Sequence, residues 1–291
     1  MVLGVKMSIT KEIRSIDLSS YTIISTGIAL LFSVLFSIVI TVAIGIISPE
    51  SIGVCIFIIP TIIVGTFMYT IYNSFSQGLF YNLLSKKLRT IKITLEENRI
   101  VKISPNETAT MVAIILTIQA LLLYLVSVFI LPLLLNATIQ TLMFAGQDAL
   151  AYSLYQFLIL ISQPITVILF IFGTFVITFI FVLIGTYIYN FIAQKGRAII
   201  VELSEENEMT GIDSIEMLNF AIVVAIISGI LSLIFAIVMA FSGGNIATLL
   251  SNVVSSIITG FVETALLAIF YNFLAPKIGK LKLELIDHKT N

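Results

Sequence analysis

Tyr81-Asn82-Leu83-Leu84-Ser85-Lys86-Lys87-Leu88 closes a long apolar segment and leads into the alternating run Ile91-Lys92-Ile93-Thr94-Leu95. The same arrangement returns twice, as Tyr189-Asn190-Phe191-Ile192-Ala193-Gln194-Lys195-Gly196 before Ile199-Ile200-Val201-Glu202-Leu203, and as Tyr271-Asn272-Phe273-Leu274-Ala275-Pro276-Lys277-Ile278 before Leu281-Lys282-Leu283-Glu284-Leu285. Apolar residues at every second position predict strands with one buried face. The chain therefore carries one structural unit three times, and each unit ends in a Tyr-Asn block and a strand.

The composition of the chain is that of a membrane protein. Of its 291 residues, 59% are hydrophobic and 11% are charged, whereas soluble domains carry about 25% charged residues. Several apolar runs are long enough to cross a bilayer core of roughly 30 Å as helices. The single cysteine, Cys55, excludes an internal disulfide, and with only one histidine, His288, the sequence argues against a zinc site and a Ser-His-Asp triad. We predict a multi-pass protein of the cell membrane that is not an enzyme and holds no metal or cofactor.

The apolar runs and their cap residues predict six helices in three repeats. The helices cover residues 21–47, 52–84, 108–135, 156–191, 213–241 and 246–275. Asp17, Ser104 and Asp213 are the predicted helix caps, and an isoleucine precedes each of them. The repeats are residues 1–96, 97–205 and 206–291. The second is longer because a polar connection at 136–155, with or without a short interfacial helix, joins its two helices.

The charges set the orientation. All 15 Lys and Arg residues lie at one end of the predicted helices, and by the positive-inside rule that end is cytoplasmic. Both chain termini are then cytoplasmic as well. Three repeats that point the same way predict a pseudo-threefold axis along the membrane normal. The predicted fold class is an all-α membrane protein, with six transmembrane helices in three parallel two-helix repeats and short cytoplasmic β-strands or hairpins.

The strand-like tails allow two arrangements. In one, they meet below the membrane in a β-layer, and the last tail at 281–285 pairs near residues 12–16 to close a ring. The alternative is that the amphipathic tails lie separately on the membrane surface. The residues after the first tail favour a hairpin, because Glu96-Glu97-Asn98-Arg99 forms a turn signal before a second apolar run at 100–103.

The block Tyr-Asn-x-x-Ala-x-x-x-Gly at 271–279, followed by an alternating strand, resembles a family of short two-helix membrane domains of unknown function. In that family a single unit ends in Tyr-Asn-Leu-x-Ala-x-x-x-Gly-Gly and a strand rich in valine or isoleucine. The second copy keeps Ala193 and has its glycine at Gly196, whereas the first has Ser85 and no glycine. The chain looks like a triplicated relative of this family. The resemblance covers the ends of the units and implies architecture alone.

Glu263 is the one acidic residue well inside a predicted helix. An ionisable group at membrane depth costs about 3 kcal/mol on insertion scales and usually faces a bundle interior or water. One hypothesis is a proton or cation site on a central axis, formed by Glu263, Asn73 and Gln77. The alternative is a protonated glutamate that is hydrogen-bonded between helices and adds packing specificity only.

Two further sets of side chains are candidate sites. Asn82, Asn190 and Asn272 either ring a cytoplasmic mouth or tie each helix end to its strand through bonds to the backbone. The basic cluster consists of Lys86, Lys87, Arg89 and Lys92. It binds anionic lipid headgroups, at roughly 1 kcal/mol per charge, serves topology, or does both. No residue pattern indicates nucleic-acid binding.

These observations favour a non-enzymatic membrane scaffold or accessory subunit that binds lipid or another membrane protein, since few polar groups are buried at membrane depth. The alternative is a small cation or proton channel or transporter with Glu263 on its axis. An intramembrane enzyme would need at least two carboxylates, or equivalent groups, that meet at membrane depth, and the sequence offers one.

Overall fold

The computed structural model describes residues 8–206 and 208–288. The strands of this part are β1 (Ser8–Ile16), β2 (Lys92–Glu96), β3 (Arg99–Ile103), β4 (Ile199–Glu206), β5 (Met209–Ile215) and β6 (Lys282–Asp287). Its helices are α1 (Leu18–Ile47), α2 (Cys55–Leu84), α3 (Pro105–Phe144), α4 (Asp148–Ser162), α5 (Pro164–Gln194), α6 (Met217–Phe241) and α7 (Ile246–Ile278), and a 3-10 turn at Pro49–Val54 joins α1 to α2. The order strand, helix, helix, strand thus occurs three times, with one additional helix in the middle.

Within the described residues, six helical segments are long and apolar enough to cross a membrane. They are α2 with the preceding 3-10 turn, α1, α3, α5, α6 and α7, and their most apolar windows have mean hydropathies of 2.0 to 3.0. The predicted number of spans is confirmed by this length and composition, and the chain has the features of a multi-pass membrane protein.

The middle repeat departs from the prediction. The stretch 136–155 is not mainly a connection, because α3 continues through Asn136 and Gln140 to Phe144 and α4 begins at Asp148. The predicted helix at 156–191 is instead divided between α4 and α5. Gln163 has an extended backbone with ψ of 132°, as expected for a residue that precedes a proline, and Pro164 begins α5. The polar residues in this stretch are compatible with helix, so composition alone misplaced the boundaries.

The six strands form one closed antiparallel barrel in chain order. β6 pairs with β1, so that Leu285 lies opposite Ile13 and Leu283 opposite Ile16. The predicted ring closure is therefore confirmed, and the strands do not lie separately. The prediction of an all-α fold with short strands or hairpins needs correction, because the strands make a complete barrel. Ile93 and Leu95 are buried in β2, as the alternation predicted.

The third helix cap lies three residues later than predicted. Asp213 is not a cap, since residues 209–215 form β5. The N-cap of α6 is Glu216, whose carboxylate accepts hydrogen bonds from the backbone N–H groups of Leu218 and Asn219. The pair Ile212-Asp213 resembles Ile16-Asp17 in sequence, but Ile215 is the residue that ends the strand.

Each strand that opens a repeat carries a β-bulge at the same place. Register shifts leave Arg14 as the extra residue of β1 opposite β6, Val101 as that of β3 opposite β2, and Asp213 as that of β5 opposite β4. Bulges bend and twist a strand and are common at barrel rims. Here each bulge lies directly after an isoleucine and two residues before another.

The chain divides into two compact units. One comprises the described residues up to Thr108 and from Ile184 onward, and contains the barrel with α1, α2, α6 and α7. The other is Ala109–Leu183. In the second unit α3 packs on α4 through a cluster around Ile139, Ala151 and Leu158. The Tyr124 hydroxyl also donates to the Ile161 carbonyl at 2.9 Å.

Candidate functional site

The second helix of every repeat is fastened to the barrel by an asparagine. Each side-chain amide makes two hydrogen bonds with the N–H and the C=O of the isoleucine that ends the repeat's first strand, and all six bonds are 2.8 to 2.9 Å long. The pairs are Asn82 with Ile16, Asn190 with Ile103, and Asn272 with Ile215. The structure places these asparagines in the joint between helix and strand, where both polar ends of the amide are occupied.

The preceding tyrosine completes the joint. Its hydroxyl donates to the carbonyl of the isoleucine just before the bulge: Tyr81 to Ile13 at 2.6 Å, Tyr271 to Ile212 at 2.5 Å, and Tyr189 to Ile100. The three tyrosines are 3% to 4% exposed. A buried carbonyl without a hydrogen-bond partner costs about 1–3 kcal/mol. The Tyr-Asn pair of each repeat, which we call the clamp, supplies such partners to the backbone of the barrel rim.

Apolar side chains fill the space beneath two of the clamps. Tyr189 packs with Ile192, Ala193, Ala198 and Val223, against partly buried isoleucines of the barrel. Around Tyr271 the same role falls to Ile24, Leu274 and Ala275, with Ile212, Ile215 and Leu281 at their edge. The helix ends and the barrel rim therefore share one core, which the clamp residues enter as part of the packing.

A charged cluster lies beside the third clamp, where β4 and β5 meet the start of β6. The Lys280 ammonium is 2.7 Å from Asp213 and 2.5 Å from Glu206, and it also donates to the Ser204 hydroxyl at 2.8 Å. Lys282 reaches the other oxygen of Glu206 at 2.8 Å. The hydrogen bond from Lys280, joined by that from Lys282, lowers the pKa of Glu206 to about 2. The bond from Lys280 also lowers the pKa of Asp213.

The same residues border a cleft of about 510 Å³ that extends to Asn272 and Gly279. Its two ammonium groups and two carboxylates already satisfy one another, so the cluster acts as a lock that ties β4 and β5 to the start of β6. The sequence did not predict this lock. Its signal was present in the acidic residues of 205–213 and in two lysines spaced two apart, just before and at the start of the last strand, but only the barrel brings them together.

A second polar cluster joins the barrel at the β1–β2–β6 edge. The imidazole Nδ1 of His288 lies 2.5 Å from a Glu12 carboxylate oxygen, and its Nε2 is 3.2 Å from the Lys92 ammonium. Thr90 donates to the other Glu12 oxygen at 2.8 Å. This bond lowers the pKa of Glu12, with burial opposing it. His288 thus takes part in strand closure, and Lys92 lies in this cluster.

The predicted basic cluster is consequently divided. Lys86, Lys87 and Arg89 are exposed in the segment that joins α2 to β2, where a lipid headgroup can reach them. Lys92 lies within β2 and is half-buried beside Glu12 and His288. Three of the four residues are therefore available as headgroup ligands.

The transport candidates occupy two helices. Gln77 accepts a hydrogen bond from the Tyr21 hydroxyl at 2.9 Å and donates to Asn73 at 3.3 Å, which links α1 to α2. Glu263 lies on α7, fifteen residues before its last residue, Ile278, and its side chain is exposed. The structure thus gives Gln77 and Asn73 a place in helix packing and leaves Glu263 on the surface of α7.

An apolar cleft lies along α6 and α7 in the first unit. It has a volume of about 640 Å³ and is bordered by Gly229, Ile257 and Phe261 among other apolar residues.

Across the described ranges, no group of three or more His, Cys, Asp or Glu side chains is placed to hold a metal ion.

Comparison of the chain with models of known families, with curated proteins and with solved structures gives no match.

Proposed function

We propose that this protein is a non-enzymatic scaffold or accessory subunit of the cell membrane, which binds lipid or another membrane protein. The observation that carries the proposal is the clamp, which fastens three helical hairpins to one closed barrel in the same way. Six side chains are used to fix helix ends against strands, and two ionic clusters reinforce the barrel. Such an assembly fixes the ends of the membrane helices to the barrel, and it thereby keeps the barrel surface in one position at the membrane boundary.

The repeated geometry supports a pseudo-threefold arrangement about the membrane normal. The clamp bonds and the β-bulges recur at equivalent positions in the three repeats, 1–96, 97–205 and 206–291. We infer that the chain is a triplicated relative of the short two-helix membrane domains that its Tyr-Asn blocks resemble.

The distribution of charge supports a cytoplasmic barrel. Every described Lys and Arg residue lies in a strand, in the last turn of α7, or in a segment that joins a helix to a strand. Positive charge concentrated at one end of apolar helices is retained on the cytoplasmic side. Both termini are then cytoplasmic, since β1 and β6 neighbour each other in the barrel.

A cation or proton channel is the second candidate, and Glu263 is the observation that favours it. It is the one charged residue of the six long helices that lies far from a helix end, and such residues often mark ion pathways. The scaffold is supported more than a shared axial site, because Asn73 and Gln77 lie on α2 and bond to each other and to Tyr21.

Flux measurements in proteoliposomes distinguish the two functions. Proton and potassium flux would be recorded for the wild-type chain, for Glu263→Gln and for the control Glu50→Gln, which alters an exposed carboxylate in the 3-10 turn. The scaffold predicts flux no greater than that of protein-free vesicles in all three. Flux in the wild type and in Glu50→Gln that is lost in Glu263→Gln would replace the scaffold by the channel.

A positive test uses native membranes. A photo-reactive residue at an exposed barrel position, such as Lys102, should give a crosslinked adduct of one reproducible mass if the barrel presents a surface to a partner protein. The same label at Phe144, at the end of α3 and 93% exposed, is the control position. Adducts of random mass from both positions, together with an absence of selectively bound lipid, would contradict the proposal.

A further inference from the structure

A lysine recurs beside each of the three clamps. Lys87, Lys195 and Lys277 each lie six positions after a clamp tyrosine. Lys277 is in the last turn of α7, while Lys87 and Lys195 follow the ends of α2 and α5 closely. All three side chains are exposed. The three lysines therefore occupy one place in the three repeats, at the level where apolar helix gives way to barrel.

An exposed apolar residue lies four positions before each lysine, which is one helical turn nearer the membrane. These residues are Leu83, Phe191 and Phe273, and they are 52%, 64% and 51% exposed. In the third repeat the Lys277 ammonium lies 3.3 Å from the centre of the Phe273 ring, and in the second the Lys195 ammonium lies 5.7 Å from that of Phe191. The second and third sites thus pair an apolar surface for acyl chains with a cation beside it. Leu83 and Lys87 occupy the same two positions in the first repeat.

The three lysines differ from those of the ionic clusters. Lys280, Lys282 and Lys92 are paired with carboxylates of the barrel. Within residues 8–206 and 208–288, by contrast, no salt bridge of 4.0 Å or less includes Lys87, Lys195 or Lys277. Their charge remains available to a ligand from outside the protein.

We propose that Lys87, Lys195 and Lys277 form three equivalent binding sites for the phosphate of an anionic lipid headgroup. The inference deepens the proposed function, because it names a lipid class and the residues that select it. A lysine whose aliphatic stem follows apolar surface can extend its ammonium to the phosphate level. The adjacent Leu83, Phe191 or Phe273 then contacts the upper part of the acyl chains. Lipid phosphate is favoured over free phosphate because each cation is paired with an exposed apolar side chain.

A purely structural role would give a different result. A lysine at a helix C-terminus is stabilised by the helix dipole, by about 0.3–1 kcal/mol, and this effect needs no lipid. It predicts a change in thermal stability when the lysine is replaced, but no preference for anionic over zwitterionic lipid. Lipid selectivity is therefore the readout that a structural role would not change.

Native mass spectrometry of the purified full-length chain tests the proposal. The delipidated protein would be titrated with phosphatidylglycerol and, separately, with phosphatidylcholine of the same acyl chains. We expect up to three phosphatidylglycerol molecules to bind more tightly than phosphatidylcholine. The double variant Lys195→Gln/Lys277→Gln should retain one such site. Each lost lysine should weaken its own site about fivefold, which corresponds to roughly 1 kcal/mol per charge near a membrane surface.

The control is the double variant Lys11→Gln/Lys102→Gln, which removes the same charge from the barrel strands β1 and β3 and should retain three sites. The triple Lys→Arg variant at 87, 195 and 277 keeps the positive charge and should also bind three phosphatidylglycerol molecules. This result would show that substitution at these positions does not abolish binding through misfolding. Equal loss in both double variants, or equal binding of the two lipids by the wild type, would overturn the proposal. So would displacement of the lipid by equimolar inorganic phosphate. A preference for phosphatidylglycerol without ion flux supports both the lipid sites and the scaffold. The same preference with ion flux would reject the scaffold and leave the lipid sites standing.

Discussion

The hydroxyl of Tyr271 lies 2.5 Å from the carbonyl oxygen of Ile212, which is 59 positions earlier in the chain. It also accepts a hydrogen bond from the backbone N–H of Leu281 at 3.2 Å. One phenol thus joins β5 to the segment that leads into β6. These two strands share only two register pairs, Thr210 with Leu283 and Gly211 with Lys282. The tyrosine therefore reinforces a short seam of the barrel, and it does so from the end of a membrane helix.

Removing this hydroxyl should destabilise the protein without changing its fold. Tyr271→Phe deletes both bonds and leaves the Ile212 carbonyl without its donor, so we expect a loss of about 1 kcal/mol in the free energy of unfolding. The change would be measured by thermal unfolding in detergent. Tyr152→Phe is the control, because Tyr152 is 62% exposed and should give no change. An equal effect of both substitutions would show that the hydroxyl bond contributes nothing.

The asparagine of the clamp should matter more than the tyrosine hydroxyl. Asn272→Ala removes both bonds to the Ile215 backbone and leaves a partly buried donor and acceptor, so we expect a loss of about 2–3 kcal/mol. Thermal unfolding again provides the measurement. The control is Asn252→Ala, on the same helix with an exposed side chain. A stability of Asn272→Ala equal to that of the control would contradict the role of the clamp.

The lock that ties β4 and β5 to the start of β6 should open in acid. The pKa values of Glu206 and Asp213 lie below their ordinary values, at about 2 for Glu206. A carboxyl group with a lowered folded pKa contributes stability above its unfolded value, near 4.5 for glutamate, and loses it as the pH falls toward the folded value. The thermal midpoint of the wild type should therefore drop between pH 4.5 and 2.

The variant Glu206→Gln isolates this effect. It should unfold at a lower temperature than the wild type at pH 7 and show a shallower drop between pH 4.5 and 2. Some drop should persist, since Asp213 and Glu12 also have lowered pKa values. Glu50→Gln, outside the barrel, should follow the wild-type curve. A wild-type midpoint that is flat across this range would exclude the lock.

Two glycines should respond oppositely to alanine. A Cβ at Gly229 would lie 2.5 Å from Cγ1 of Ile257, at the contact of α6 with α7, so Gly229→Ala should destabilise this helix pair. No atom lies within 4 Å of a Cβ built at Gly65. Gly65→Ala should therefore be neutral or stabilising by up to about 1 kcal/mol, since alanine favours helix. Thermal midpoints that move in the same direction for both would refute the close contact.

Much of this fold could be predicted from local patterns. Alternation at Ile91, Ile93 and Leu95 indicated a strand, and the recurrence of the Tyr-Asn block indicated three equivalent units that could close a ring. The block also placed each asparagine next to a helix end, where bonds to the backbone are the usual use of such a side chain. These features depend on neighbours in sequence or on a repeated spacing, and so they are visible without coordinates.

Other features depend on contacts between distant segments. Asp213 resembled a helix cap because an isoleucine precedes it, and only its pairing opposite β4 shows that it is the bulge residue of β5. Lys280 had no recognisable role until the barrel placed it beside Glu206 and Asp213. The sequence showed that Glu263 lies far from the ends of its helix, but it did not show which face of the helix the residue occupies.

Closure of the barrel between β1 and β6 is the central claim, because it brings the three hairpins onto one support. In a Cys55→Ser background, the pair Ser15→Cys/Glu284→Cys joins two residues that are register partners 269 positions apart. Cysteines at directly opposed strand positions have a spacing that suits a disulfide. Mild oxidation should crosslink them within one chain, detected as proteolytic fragments that stay joined until reduced. The control pair Glu202→Cys/Ser214→Cys lies within the β4–β5 hairpin and should crosslink whether or not the barrel closes. Crosslinking of the control without crosslinking of the 15–284 pair would contradict the closed barrel.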